Sequence, residues 1–464
     1  MTAPGKTSPQ ELVERGLAAA TTDGCVVIAG AGATLNLRWA NNTLTTNGVS
    51  HAGEVTVIAV ADGVDGVRSA AVTRTGVDVD GIAGLVADAE AAAKASVIAE
   101  DAAPLIEGGA DDDFGEPPAD VPISGLGTVA TWLGEVFADA EAARQGRFGY
   151  AEHEVGTTYL GTSTGIRRRH VQPAVRLEMT GRSNDGSRSA WAGQSADATE
   201  RLDLAAVEAD IAMRLEWSGR RVDLPAGRYE TVLPPSAMAD LMTYMYWSMG
   251  ALDAHEGSTV FSKPGGGTRV GESLSSVPAT LRSDPGMPGQ RCTPFVAAPV
   301  SSRLSSVFDN GLPLSPTDWI RDGRLTSLPG TRFTSATTGL PVTPWIDNLE
   351  LSAGGSGAMD DLVSQVDRGL LLTCLWYIRV VDPQTLLLTG LTRDGVFLVE
   401  HGEVVGAVNN FRFNESPVGL LSRINSASTP VDTFAREFGD YFTRTRMPAL
   451  RVADFNMSSV SQAS

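Results

Sequence analysis

The chain has few residues of the kinds that hold metals or cross-link a fold. Its 464 residues include three cysteines and five histidines. Cys25, Cys292 and Cys374 are odd in number and widely spaced, which excludes a disulfide framework and a C-x-x-C metal knuckle and fits a reducing compartment. Cys25 and Cys374 sit inside the apolar runs CVVIAG and LLLTCLWYI and read as small core residues. His51, His153, His170, His255 and His401 are dispersed, with no two at the spacing of helical ligands. His255-Glu256 is the one His-Glu pair. Without a second imidazole within a turn, it reads as a solvated turn.

HExxH, GxSxG, Walker A and dinucleotide-binding glycine motifs are missing too. Gly30 and Gly32 follow a strand, but the chain continues as strand and not as helix, so a nucleotide loop is excluded. Ser262-Lys263-Pro264-Gly265-Gly266-Gly267 reads as a flexible loop. Positive charge is scarce, 36 Lys and Arg against 55 Asp and Glu, for a formal charge of −19. That balance repels polyanions and leaves a nucleic-acid role only to a local basic patch. The best such patch, Arg167-Arg168-Arg169-His170, reads as a solvated strand edge. The longest apolar run, Gly369 to Ile378, is about half of a membrane span and ends at Arg379. The opening MTAPGKTSPQELVERG has no apolar signal-peptide region, so a cytoplasmic location is expected.

What is present describes a folded chain of two domains. Hydrophobic and charged contents of 42% and 20% are globular values, and at this length roughly 75% of the unfolded surface can be buried. Ser8 and Glu11 form a capping-box pair opening a helix to about Ala20. From Cys25 to Thr73 the runs CVVIAG, TLNLRW, VTVIAVA and VRSAAVT alternate with period two and predict short antiparallel strands. Val79 to Ile98 is Ala-rich with helical spacing. Glu100 to Pro122, with Asp111-Asp112-Asp113 and Pro117-Pro118, is expected to be an exposed, mobile acidic loop.

A helix near Thr128–Gln145 follows, then strands around Val155–Leu160, Val171–Thr180 and Arg188–Ala192, with a hairpin turn at Asn184-Asp185-Gly186. Asp203 to Ser218 is helical, so the first half is α+β, an antiparallel sheet with packed helices. Arg228 to Leu233 is a strand, and Pro235 opens a helix to about Gly250. Beyond it, short apolar runs punctuated by Gly, Pro, Ser and Thr predict a β-rich, barrel or sandwich-like domain. The change of pattern between Ser218 and Arg228 divides the chain into 1–222 and 223–464.

The order of these segments resembles the TldD/PmbA family. The N-terminal helix, strand meander, GVRSAAVT and Ala-rich helix match its N-terminal domain, and RYETVLPPSAMADLM matches its strand-to-helix entry. Asp309-Asn310-Gly311, Asn348-Leu349-Glu350-Leu351, Asp367-Arg368-Gly369-Leu370-Leu371, Glu400-His401-Gly402-Glu403 and the closing MPALRVADFNMSSV follow in the family's order.

The resemblance implies a metalloprotease fold with two branches. TldD-like members carry HExxxH on the helix after that strand, and a late Cys; two imidazoles and a thiolate hold zinc while the Glu serves as base. The matching positions here are Thr243, Tyr244 and Ser248, Phe434 falls near the place of the Cys, and no Cys follows Cys374. This is the pattern of the PmbA/TldE-like branch. It implies no catalytic residue, no metal ligand and no cofactor of its own, with zinc only in a TldD-like partner. The implied function is that of a non-catalytic subunit of a heterodimeric TldD/TldE zinc metalloprotease that degrades unfolded or short peptides. Two alternatives stand beside it: an active metallopeptidase using other ligands, and a stand-alone peptide-binding homodimer. Leu241, Met242, Met245, Trp247 and Met249 make the helix apolar nearly all round, so it reads as core. Read otherwise, Met242–Met249 lines a groove facing a partner.

Overall fold

The computed structural model describes residues 8–461. The reading that the chain opens without a signal peptide rests partly on residues 1–7, which lie outside them. Helix α1 (Pro9–Ala19) is capped by the Ser8 hydroxyl, which accepts from the Glu11 N–H at 3.3 Å. The strands β1 (Gly24–Ala40), β2 (Thr43–Gly63), β3 (Gly66–Thr75), β4 (Gln145–Thr162), β5 (Arg167–Ser183) and β6 (Ser189–Ala196) form one antiparallel sheet in the order β3-β2-β1-β4-β5-β6. The expected short strands are fewer and longer. CVVIAG and TLNLRW are one continuous strand, because Gly30–Ala33 pair with β2 on one side and β4 on the other. Two ladders hold the glycines extended where an isolated segment would turn.

Val27, Ala29, Ala33, Leu35, Leu37 and Trp39 alternate along β1 onto one face. The helices α1, α2 (Ile82–Ala95), α3 (Gly127–Ala142) and α4 (Leu204–Trp217) cover that face. The opposite face at one end, through Val26, Ile58 and Leu160, packs on Phe295, Val307 and Phe308 of the second half. The hairpin at Asn184-Asp185-Gly186 is as expected: Gly186 has φ +72°, and Asp185 accepts from the Ser183 hydroxyl and the Ser187 N–H.

The second half holds a ten-stranded and a six-stranded sheet that share one core and do not close into a barrel. The strand Gly227–Leu233 lies inside the larger sheet, antiparallel to Leu450–Val460 and parallel to Arg368–Leu372. It runs through Pro234 into helix α5 (Pro235–Trp247), whose proline at the first turn loses no helical hydrogen bond. The fold is α+β throughout, and sandwich-like in the second half.

The two charge runs have a relation that local reading does not show: they are each other's partners. Arg167, Arg168 and Arg169 lie where β5 runs beyond β6, on a strand edge as expected, but their side chains are paired and not freely solvated. Arg168 pairs with Asp111 at 2.8 Å and Arg169 with Asp113 at 2.9 Å, while Arg167 pairs with Glu14 at 2.6 Å. The acidic segment is irregular and mostly exposed, as expected, but it is tied to β5. The Asp111 N–H donates to the Arg167 carbonyl at 2.8 Å, and buried Phe114 meets the Tyr159 ring edge-on at 5.8 Å. Partly exposed pairs of this kind contribute about 1 kcal/mol each or less. Replacing both Asp111 and Asp113 by Ala is expected to expose residues 100–122 to a broad-specificity protease. Mapped first cuts should fall there in the double variant and elsewhere in the wild type.

Candidate functional site

Helix α5 carries the three positions at which the resemblance places a degenerate zinc motif, and it lies in the core between the two sheets of the second half. Thr243 is fully buried, and its hydroxyl has no hydrogen-bond partner. Tyr244 is half-buried; its ring packs on Phe438 at 5.7 Å and its hydroxyl accepts from the Val380 N–H at 3.2 Å. Ser248 ends the helix and donates to the Tyr244 carbonyl at 3.0 Å. Thr243 therefore faces the core, Tyr244 a strand edge and Ser248 the helix terminus.

The residue that organises this region is one that sequence reasoning passed over. Asp240 is fully buried, and its carboxylate accepts from three consecutive backbone N–H groups, those of Arg436, Glu437 and Phe438, at 3.2, 2.9 and 3.2 Å. A single carboxylate in the otherwise apolar run MADLMTYMYW was the available signal, because a buried charge must find donors. Burial pushes its pKa up to about 8, with the nearby Glu437 charge adding to the rise and the three N–H groups opposing it.

Those bonds fix the segment after Phe434 against α5. Phe438 meets Trp247 at 5.0 Å and Phe442 meets Tyr246 at 6.1 Å. The Arg436 guanidinium lies over Trp376 at 4.4 Å and over Trp191 of β6 at 5.2 Å, with Glu178 of β5 at 3.3 Å. Phe434 is buried and packs on Trp191 at 6.2 Å, so that position is a hydrophobic bridge to the first sheet. The structure thus brings together α5 and the segment bearing Phe434, the two places where the resemblance puts a metal site.

Their chemistry does not fit zinc. Two aliphatic hydroxyls and a phenol supply no imidazole or thiolate, and the Asp240 carboxylate is already spent on the main chain. All three cysteines are buried, and burial raises each thiol, Cys25 and Cys292 to about 12, so none offers a thiolate near neutrality. Among the described residues, no three His, Cys, Asp or Glu side chains come together as a possible metal site. A cleft of about 230 Å³ lies elsewhere, lined by Leu312, Leu314, Arg332, Val342 and Ile346. It reaches α5 through Ile346, whose backbone N–H and carbonyl both bond the Tyr246 hydroxyl.

The model of the PmbA/TldA metallopeptidase C-terminal domain matches residues 226–459. The chain belongs to the PmbA/TldD family. That match begins just before the strand leading into α5 and ends in the last strand, so it spans the whole region around Asp240. No curated protein matches the chain. Solved structures share the fold at low identity. TldE from Thermococcus kodakarensis superimposes with a TM-score of 0.78 at 15% identity, covering 96% of this chain and 99% of that one. A candidate modulator of DNA gyrase from Bacteroides thetaiotaomicron gives 0.75 at 13%, covering 97% and 98%. Another from Thermotoga maritima gives 0.74 at 16%, covering 96% and 99%. No helix among the described residues is long and apolar enough to cross a membrane.

Two substitutions check the physical description of the helix. Thr243→Val removes an unpartnered buried hydroxyl at nearly constant volume and is expected to raise stability by about 1 kcal/mol in denaturant titration. Asp240 carries a folded-state pKa above its ordinary 3.8, so the folded state holds a proton that the unfolded chain loses first. Its contribution is fully present below about pH 4 and is lost as pH rises through about 8, at no more than about 1.4 kcal/mol per pH unit. Relative to Asp240→Asn, the wild type is therefore expected to lose stability across that window.

Proposed function

We propose that this PmbA/TldD-family chain is the non-catalytic, TldE/PmbA-like subunit of a heterodimeric TldD/TldE zinc metalloprotease that degrades unfolded or short peptides. The observation that carries the reading is the chemistry of α5, where Thr243, Tyr244 and Ser248 stand in the places of a metal-binding and proton-transferring triad. Metal-assisted hydrolysis needs an activated water and a positioned base, and these side chains provide neither. The likeness to the fold of TldE from Thermococcus kodakarensis supports the same reading. Zinc is assigned to a TldD-like partner alone, the cytoplasm is the proposed location, and 1–222 and 223–464 are the proposed domains. Neither membrane nor nucleic acid is a partner on this account.

Peptide hydrolysis by the chain combined with a TldD-like partner tests the reading. Activity is expected only from the pair. It should vanish when the partner's zinc ligands are replaced and persist within about twofold for Tyr244→Phe in this chain. Loss of turnover with Tyr244→Phe while the pair stays assembled would make this subunit catalytic and overturn the proposal.

A further inference from the structure

The strand Leu375–Asp382 ends the ten-stranded sheet, with Leu387–Thr392 as its ladder partner. An end strand usually leaves a row of backbone donors and acceptors open, and such a row pairs readily with another extended chain. This strand would be an attractive one, since Tyr377, Val380 and Val381 are 57%, 43% and 54% exposed. Its backbone is nevertheless occupied. The register slips between Trp376 and Arg379 and again between Val380 and Asp382. The Val380 N–H donates to the Tyr244 hydroxyl at 3.2 Å, and the Tyr377 N–H to the Glu437 carboxylate at 3.1 Å. Arg379 donates to the same carboxylate at 3.1 Å and to the Ile378 carbonyl at 2.6 Å, so an edge acceptor is covered as well. Between these caps Tyr377 is held at φ +52°, a left-handed conformation that a bulky side chain adopts at a cost.

Both capping groups are set by Asp240. Tyr244 lies one turn further along α5, and the Glu437 N–H donates to the Asp240 carboxylate at 2.9 Å. We propose that Tyr244 and Glu437 form a lock on the free edge of Leu375–Asp382, which keeps an extended polypeptide from pairing with that strand. A tyrosine suits the place: its phenol reaches the strand, and it accepts an N–H without adding a third carboxylate beside Asp240 and Glu437.

The test uses the chain alone, so it does not depend on a protease partner. Amide exchange by mass spectrometry is measured over residues 376–381 in wild type and Tyr244→Phe, which keeps the ring on Phe438. Binding of a fluorescein-labelled peptide of alternating Val and Thr is measured by anisotropy, for wild type and for Tyr244→Phe with Glu437→Leu. Exchange at Val380 is expected to rise at least tenfold in the single variant with the melting temperature retained, and the peptide to bind only the double variant. Unchanged exchange in Tyr244→Phe, or a folded double variant that binds the peptide no better than wild type, overturns the proposal. If the double variant does not fold, the exchange result decides.

Discussion

A carboxylate enclosed on all sides by protein has to be met by donors, and Asp240 is met by the main-chain N–H groups of Arg436, Glu437 and Phe438. Three neighbouring donors can converge on one side chain only if the chain turns tightly around it, so this contact dictates where the segment after Phe434 runs. From there the contacts propagate outward. Phe438 and Phe442 are laid against the aromatic flank of α5, and Glu437 is brought to the edge strand Leu375–Asp382. Arg436 is carried between Trp376 and Trp191, across to the first sheet. Helix, sheet edge and the seam between the halves are positioned from one side chain.

The same arrangement explains why a helix without metal-binding chemistry remains central to the protein. Met238, Leu241, Met242, Met245 and Tyr246 are fully buried and share one core with both sheets of the second half. Removing such side chains leaves cavities that cost several kcal/mol each, on the order of 2–5 for Leu or Met to Ala. Packing preserves the helix independently of any reaction. Position 244 illustrates this: its ring packs on Phe438 and its hydroxyl accepts from the Val380 N–H.

The sequence announced much of this framework through local patterns. The period-two runs, the Asn184-Asp185-Gly186 turn, the proline at the start of α5 and the Ala-rich helices each follow from nearest-neighbour physics, and each appears in the structure close to the expected residues. What escaped depends on partners distant in sequence. That the Arg167–Arg169 run and the acidic segment pair with one another is not legible, since nothing local reveals that residues about 57 apart neutralise one another. The joining of CVVIAG to TLNLRW needed the flanking ladders to be known. Asp240 was visible as an anomaly, a lone carboxylate in an apolar helix, but its donors lie almost 200 residues away and are backbone groups, which no side-chain motif records.

The central claim is that α5 and its surroundings serve architecture and hold no metal. Elemental analysis of the purified chain, loaded with zinc and then dialysed, tests it most directly. The account predicts far less than one equivalent of zinc retained per chain, and no change in retention when Thr243, Tyr244 and Ser248 are replaced together by Ala, Phe and Ala. One tightly held equivalent that disappears with that substitution would contradict it.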